Sequence, residues 1–140
     1  MNLSKRRIIK FLIMLFLLAC MLFANLFAVR AMLRYGVEVY FYDKLQVALN
    51  IAGVKGLDEE LAKIRATEKL PRVLKLTAEF DAQRNSIPDL DKFLENKVEQ
   101  GKKKVETVRN LRSLAIILIT LAFCWQLLNR WLERRRCKGK

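Results

Sequence analysis

The feature that most constrains this chain is an apolar run near its beginning. Residues 11–29, FLIMLFLLACMLFANLFAV, contain no charged side chain, and Asn25 is the one strongly polar residue among them. A helix rises about 1.5 Å per residue, so this run makes a helix about 28 Å long, close to the thickness of the hydrocarbon core of a bilayer. The run therefore predicts a transmembrane helix over residues 11–30.

A second apolar run lies near the end of the chain. Residues 114–125, with Leu127 and Leu128 beyond them, predict a second transmembrane helix over residues 111–129. The two runs use a good part of a 140-residue chain that is 53% hydrophobic, which leaves little apolar material for a soluble core. We therefore predict an all-α fold: an integral membrane hairpin of two transmembrane helices that flank a small helical extramembrane domain, residues 31–110.

The distribution of the net charge of +13 indicates how the chain is threaded. A basic leader, residues 1–10, carries four positive charges, and a basic tail, residues 130–140, carries six against one negative charge. Residues 35–112 hold fifteen positive and thirteen negative side chains, a net charge of only +2. Basic flanks are typical of the cytoplasmic side of a membrane, so we expect a multi-pass protein of a bacterial inner membrane with both termini in the cytoplasm.

The same charges bear on two other possibilities. Lysines at positions 102–104 lie near the outer end of the second span, and the positive-inside rule is weak for long loops, so the inverted topology stays open. A nucleic-acid-binding protein needs a basic stripe on a folded face. The excess charge here lies in short flanks, so nucleic acid is not an expected partner.

The first span has two alternative interpretations. A cleavable signal peptide has a shorter apolar segment than this one. Residues 17–20, LLAC, look like a lipobox, the motif after which bacterial lipoproteins are cleaved and acylated on the cysteine. A polar tether usually follows such a cysteine, whereas residues 21–24 are apolar. A transmembrane helix is the better interpretation, and lipoprotein processing at Cys20 is the alternative.

Small residues mark a packing face on the first span. Cys20, Ala24 and Ala28 recur every four residues, a spacing that lets another helix approach closely. Asn25 lies beside this stripe, and an amide in lipid needs a hydrogen-bond partner on a neighbouring helix. We expect Thr120 and Cys124, four residues apart in the second span, to face the stripe.

Glycine and proline divide the extramembrane part into helices. We expect a helical continuation of the first span with a kink at Gly36 and a new start at Asp43, and a turn at residues 53–56. Asp58 is expected to cap the next helix, and a further helix is predicted over residues 71–84 because proline is tolerated in a first turn. The expected buried residues are Leu57, Leu61 and Ile64 in the first of these helices and Val73, Leu76 and Phe80 in the second.

One long helix is predicted from Asp89 through the second span. A seam along it has the four-and-three spacing of a coiled coil. Its residues are Leu94, Val98, Gly101, Val105 and Val108. Extended by four residues, the seam reaches Arg112 at the membrane surface. Two explanations stay open: the helix packs on the two helices before it, or the seam contacts a second copy or a partner helix.

No pattern in the chain predicts a catalytic or ligand-binding site. The chain has no histidine, the commonest general base and a common metal ligand. Asp89, Asp91 and Glu95 are close in sequence, but carboxylates at a helix start ordinarily complement the helix dipole. We therefore expect helix capping there, and we expect no enzyme activity, cofactor, metal or small-molecule substrate.

These observations predict a non-enzymatic integral membrane protein. Its expected partners are membrane lipid and either a second copy of the chain or another envelope protein, bound through the extracytoplasmic helices. The alternative is a compact transmembrane sensor that signals through a separate cytoplasmic partner, an analogy of layout and not of motif.

Overall fold

The computed structural model describes the backbone of residues 3–138 and the side chains of Lys5 and of residues 8–136. This part of the chain forms three helices, α1 (Leu3–Thr67), α2 (Pro71–Arg84) and α3 (Leu90–Lys138), and contains no strand. The all-α prediction is confirmed. The outermost residues of the predicted basic leader and tail, 1–2 and 139–140, lie outside the described residues.

The helices form two compact units. Unit 1 comprises the described residues up to Val29 and those from Arg109 onward, and unit 2 comprises Arg30–Val108. Helix α1 and helix α3 are each long and apolar enough to cross a membrane.

Large apolar side chains cover the outer faces of unit 1. Phe23, for example, is 73% exposed. Water-soluble monomers rarely expose contiguous apolar patches of more than a few hundred Å². An apolar outer surface is instead what contact with lipid requires. Other exposed members of this surface are Phe11, Phe16, Leu22, Leu26, Phe27, Leu114, Ile117, Leu118 and Leu121.

In unit 2, α1 reverses direction at Gly53. This residue has φ 65° and ψ −150°, a conformation that is essentially restricted to glycine. Beyond it, residues 54–67 fold back on the preceding part of the helix, so that Lys44 Nζ lies 3.8 Å from Glu60 Oε1. The predicted turn at residues 53–56 is confirmed, and the helix breaks at Gly53, the first of these residues.

Three details of the predicted helix boundaries are wrong. α1 continues without interruption through Gly36 and Asp43, because the residues that follow, such as Phe41 and Leu45, are buried in the core and hold this stretch helical. Asp58 lies inside the helix, where its carboxylate accepts a hydrogen bond from Arg84 on α2 and does not cap. That hydrogen bond lowers the pKa of the exposed Asp58 carboxyl below its ordinary value.

The core of unit 2 lies between the two limbs of α1, helix α2 and the start of α3. Every side chain that was expected to face the core from residues 57–64 and 71–84 is buried. An edge-on ring contact links α1 to α3, with the ring centroids of Tyr42 and Phe93 6.5 Å apart. The buried set is Phe41, Leu45, Leu57, Leu61, Ile64, Val73, Leu76, Phe80 and Leu94.

Local chemistry explains where α2 and α3 begin. Leu70 has the extended backbone, φ −72° and ψ 117°, that a following proline favours, and α2 starts at Pro71 as predicted. Before α3, the backbone N–H of Lys92 donates to Asp89 Oδ1 at 3.1 Å, the geometry of an N-cap. The capping role predicted for Asp89 is confirmed.

Replacement of Gly53 by alanine tests the reversal. We expect Gly53→Ala to lower the free energy of unfolding by about 1–3 kcal/mol, because a Cβ is strained at this backbone conformation. Gly36→Ala is the matched control: Gly36 is helical and an added Cβ meets nothing within 4 Å. It should leave stability unchanged or raise it by up to about 1 kcal/mol. Denaturant unfolding of the full-length protein in detergent measures both, and equal effects would contradict a reversal at Gly53.

Candidate functional site

In unit 1, the inner faces of α1 and α3 are defined by partly buried residues at steps of three and four. On α1 the described positions are Lys10, Met14, Leu17, Met21, Ala24 and Ala28. On α3 they are Arg112, Ala115, Ile119, Phe123, Gln126 and Arg130. This spacing keeps one stripe of each helix turned inward along the whole apolar segment.

The small residues of the first span lie on this inner face. Ala28 is buried, and Cys20 and Ala24 are partly buried. The expectation for the second span is not met, because Thr120 and Cys124 are exposed. The Thr120 hydroxyl donates to the Ile116 carbonyl of its own helix at 2.8 Å, so this hydroxyl needs no partner on α1.

The residues that take the expected place of Thr120 and Cys124 lie one position earlier along α3. Ile119 and Phe123 are partly buried on its inner face. One residue corresponds to about 100° around a helix, so a shift of one position moves a side chain from the inner face to the outer face.

A polar pair joins the two helices of unit 1. Arg112 Nε donates to Asn25 Oδ1 at 2.8 Å, and Asn25 Nδ2 donates to the Met21 carbonyl at 3.0 Å. Both groups of the Asn25 amide are therefore satisfied. The sequence indicated that Asn25 needs a partner and that the α3 seam reaches Arg112, but it did not connect the two. The feature that could have connected Asn25 with Arg112 is that both residues lie on the inner faces of their helices.

A second polar contact joins these helices at the other end of the apolar segments. Lys10 Nζ lies 2.7 Å from Glu133 Oε1 and 2.5 Å from Glu133 Oε2. The guanidinium of Arg135 stacks 4.1 Å from the ring centroid of Trp131. Both contacts are exposed, so each adds little stability by itself. Lys10 and Glu133 also line a cleft between α1 and α3.

In unit 2, the predicted seam on α3 is covered by the chain itself. Leu94, Val98 and Gly101 are buried, and Val105 and Val108 are partly buried. An added Cβ on Gly101 would lie 2.5 Å from Val39 Cγ2 of α1, so glycine is what permits this close approach. Of the two explanations left open for the seam, packing within the chain is the one that the structure shows.

A small polar cleft of about 150 Å³ lies between α1, α2 and α3 in unit 2. Glu38 accepts a hydrogen bond from Arg72, whose buried Nε has no partner among the described residues. Tyr42 also lines the cleft, and its pKa is raised by burial and then by the negative charges of Glu38 and Glu79. The cleft is suited to a small polar ligand or to water.

An apolar stripe lies on the outer side of α1 in unit 2. Tyr40 and Val47 are about half exposed, and Ile51 is 80% exposed. These three residues follow one another at steps of seven and four, which places them on one face of the helix before Gly53. This outer stripe was not predicted from the sequence, because no buried or exposed face was assigned to the helix between Gly36 and Gly53.

No group of three or more cysteine, aspartate or glutamate side chains among the described residues could hold a metal ion. Comparison of the chain with protein-family models, with curated proteins and with solved structures finds no match.

A double-mutant cycle on the Asn25 and Arg112 pair tests its role. Asn25→Leu and Arg112→Met each remove one partner, and we expect the pair to show a coupling energy of about 0.5–2 kcal/mol, as interhelical hydrogen bonds in membranes do. Reversible unfolding of the full-length protein in mixed micelles provides the measurement. Thr120→Val combined with Arg112→Met is the control and should show no coupling. A coupling no larger than the control would mean that the pair does not hold the helices together.

Proposed function

We propose that this chain is a non-enzymatic integral membrane protein that assembles through its extramembrane helices. In this proposal unit 1 is a hairpin of two transmembrane helices in a bacterial inner membrane, with both termini in the cytoplasm. Unit 2 is the extracytoplasmic part. The single observation that carries the assembly role is the outer stripe of Tyr40, Val47 and Ile51 on unit 2.

The membrane part of the proposal is supported by the surface of unit 1. Its exposed side chains are large and apolar along two helices of sufficient length. Basic side chains flank both apolar segments, as is typical of cytoplasmic ends.

The assembly part is supported by the contrast between two faces of unit 2. Leu94, Val98 and Gly101 of the α3 seam are buried within the chain, and Gly101 closely approaches Val39 of α1, so this part of the seam is not open to a partner. Val47 and Ile51 of the outer stripe are exposed apolar side chains, whereas Lys44 Nζ lies 4.7 Å from the ring centroid of Tyr40. Exposed apolar residues that follow a helical spacing are what a second helix can bury.

A second copy of the chain is the occupant that fits the stripe best. The four-and-seven spacing is that of a parallel helix pair, and two copies threaded through one membrane in the same sense meet in parallel. Confinement to the membrane also raises their effective concentration, so that a contact of a few residues is sufficient. Lys44, which lies in the same stretch, is held near Glu60 and so brings little net charge to the contact.

The alternative function is a compact sensor that signals through a separate cytoplasmic partner. The observation in its favour is the cleft at Arg72, where a buried Nε lacks a partner within the described chain. A sensor of this kind binds a small polar ligand between the helices of unit 2 and needs no contact at Ile51. The two functions therefore differ in what they require of Ile51.

Disulfide crosslinking in native membranes tests the assembly. In a background with Cys20, Cys124 and Cys137 replaced by alanine, we expect Ile51→Cys to form covalent dimers on mild oxidation. Val98→Cys, at a buried position, should form none. Gln83→Cys, at an exposed position on α2, measures random collisions.

The product identifies the partner. A crosslinked species of twice the chain mass supports self-assembly. A species with a different added mass means that the partner is another envelope protein and not a second copy. Crosslinking at Ile51 no stronger than at Gln83 would overturn the assembly role and favour the sensor.

A further inference from the structure

A cleft in unit 1 lies at the end of the apolar segments that carries Lys10 and Glu133. It has a volume of about 450 Å³ and is bounded by residues of both α1 and α3. None of the contacts described for the helix pair requires such a cleft. It is therefore the feature of unit 1 that the packing of the hairpin leaves unexplained.

The cleft is strongly cationic on one side. Lys10, Arg130 and Arg136 line it against a single carboxylate, Glu133, so the lining carries a net charge of +2. Because Glu133 is already bound to Lys10, the two arginines provide the excess positive charge. The side-chain amides of Gln126 and Asn129 add hydrogen-bond donors to the same lining. Guanidinium groups and amides are the donors that bind phosphate oxygens.

Apolar side chains also line the cleft. Ile13 and Trp125 line it, and both are exposed at the surface of the apolar segments. A free inorganic anion has no apolar surface that contact with these side chains would bury. A phospholipid has both an anionic head and an acyl chain, and tryptophan favours the interface between headgroups and hydrocarbon.

We propose that this cleft binds the headgroup of an anionic phospholipid. Arg130 and Arg136 contact the phosphate, and the first part of an acyl chain lies along Trp125 and Ile13. Basic pockets between transmembrane helices recognise anionic lipids by the same combination. The proposal rests on the membrane placement of unit 1 given under Proposed function, and it does not depend on assembly through unit 2.

Fluorescence of Trp125 tests the site directly. The chain has two tryptophans, so Trp131→Phe leaves Trp125 as the reporter. This full-length variant is placed in phosphatidylcholine nanodiscs that contain a small fraction of lipid with brominated acyl chains, either phosphatidylglycerol or phosphatidylcholine. Bromine quenches a neighbouring tryptophan, so the two lipids compete for the position beside Trp125. We expect brominated phosphatidylglycerol to quench several-fold more strongly than brominated phosphatidylcholine.

Three arginine variants separate a built site from a diffuse surface potential. At physiological ionic strength exposed charges are screened beyond about 8 Å, whereas a direct contact is not. We therefore expect Arg130→Gln and Arg136→Gln each to reduce the preference for phosphatidylglycerol by about fivefold or more. Arg134→Gln removes the same charge from a residue that does not line the cleft, and it should reduce the preference by less than about twofold.

Each other outcome overturns the proposal in a distinct way. Equal loss in all three arginine variants means that the membrane senses only the summed charge of the tail. Displacement of the brominated lipid by an equal amount of inorganic phosphate means that the cleft is a site for free anions. Equal quenching by both lipids contradicts a specific lipid site but agrees with the membrane placement of unit 1. If neither lipid quenches Trp125, the lipid site and the membrane placement are both contradicted.

Discussion

In the proposed membrane placement, the hydrogen bond between Arg112 and Asn25 is the contact on which the arrangement of unit 1 most depends. Apolar side chains attract one another no more strongly than they attract lipid tails, so they do not by themselves select a partner helix or a register. A buried amide and a guanidinium do, because each is costly in an apolar medium unless it is paired. The register that the pair sets brings Ala24 and Ala28 to the inner face. It turns Phe23 and its apolar neighbours outward.

Unit 2 depends on a different constraint, the reversal of α1 at Gly53. Because α1 folds back there, Leu57 and Leu61 reach the same core as Phe41 and Leu45. A unit of this size buries a limited core, and the close approach of α3 at Gly101 adds a second layer of contact with α1. This packing buries the inner residues of α1. The residues on its outer face, including Ile51, remain exposed.

The sequence predicted the parts of the structure that follow from local chemistry. Pro71, Asp89 and Gly53 mark helix ends for reasons that a single residue carries, and the periodic face of Val73, Leu76 and Phe80 follows from helix geometry.

The wrong predictions concern features that tertiary packing decides. Gly36 breaks nothing because the surrounding residues of α1 are held in a helix by the core. Thr120 and Cys124 were placed on the inner face by residue size, whereas the true inner face depends on rotation about the helix axis, which small residues alone do not specify. The pairing of Asn25 with Arg112 depends on the register of two helices that are far apart in sequence.

The central claim is that the two apolar segments cross one membrane as a hairpin, with unit 2 on the opposite side from both chain ends. Single cysteines in a cysteine-free background at Lys5, Lys69 and Arg134, all exposed, report this directly. In right-side-out vesicles treated with a membrane-impermeant maleimide, the account predicts that Lys69→Cys reacts at once and that Lys5→Cys and Arg134→Cys react only after permeabilisation. Reaction of the two ends from opposite sides, or of all three positions from the same side, would contradict it.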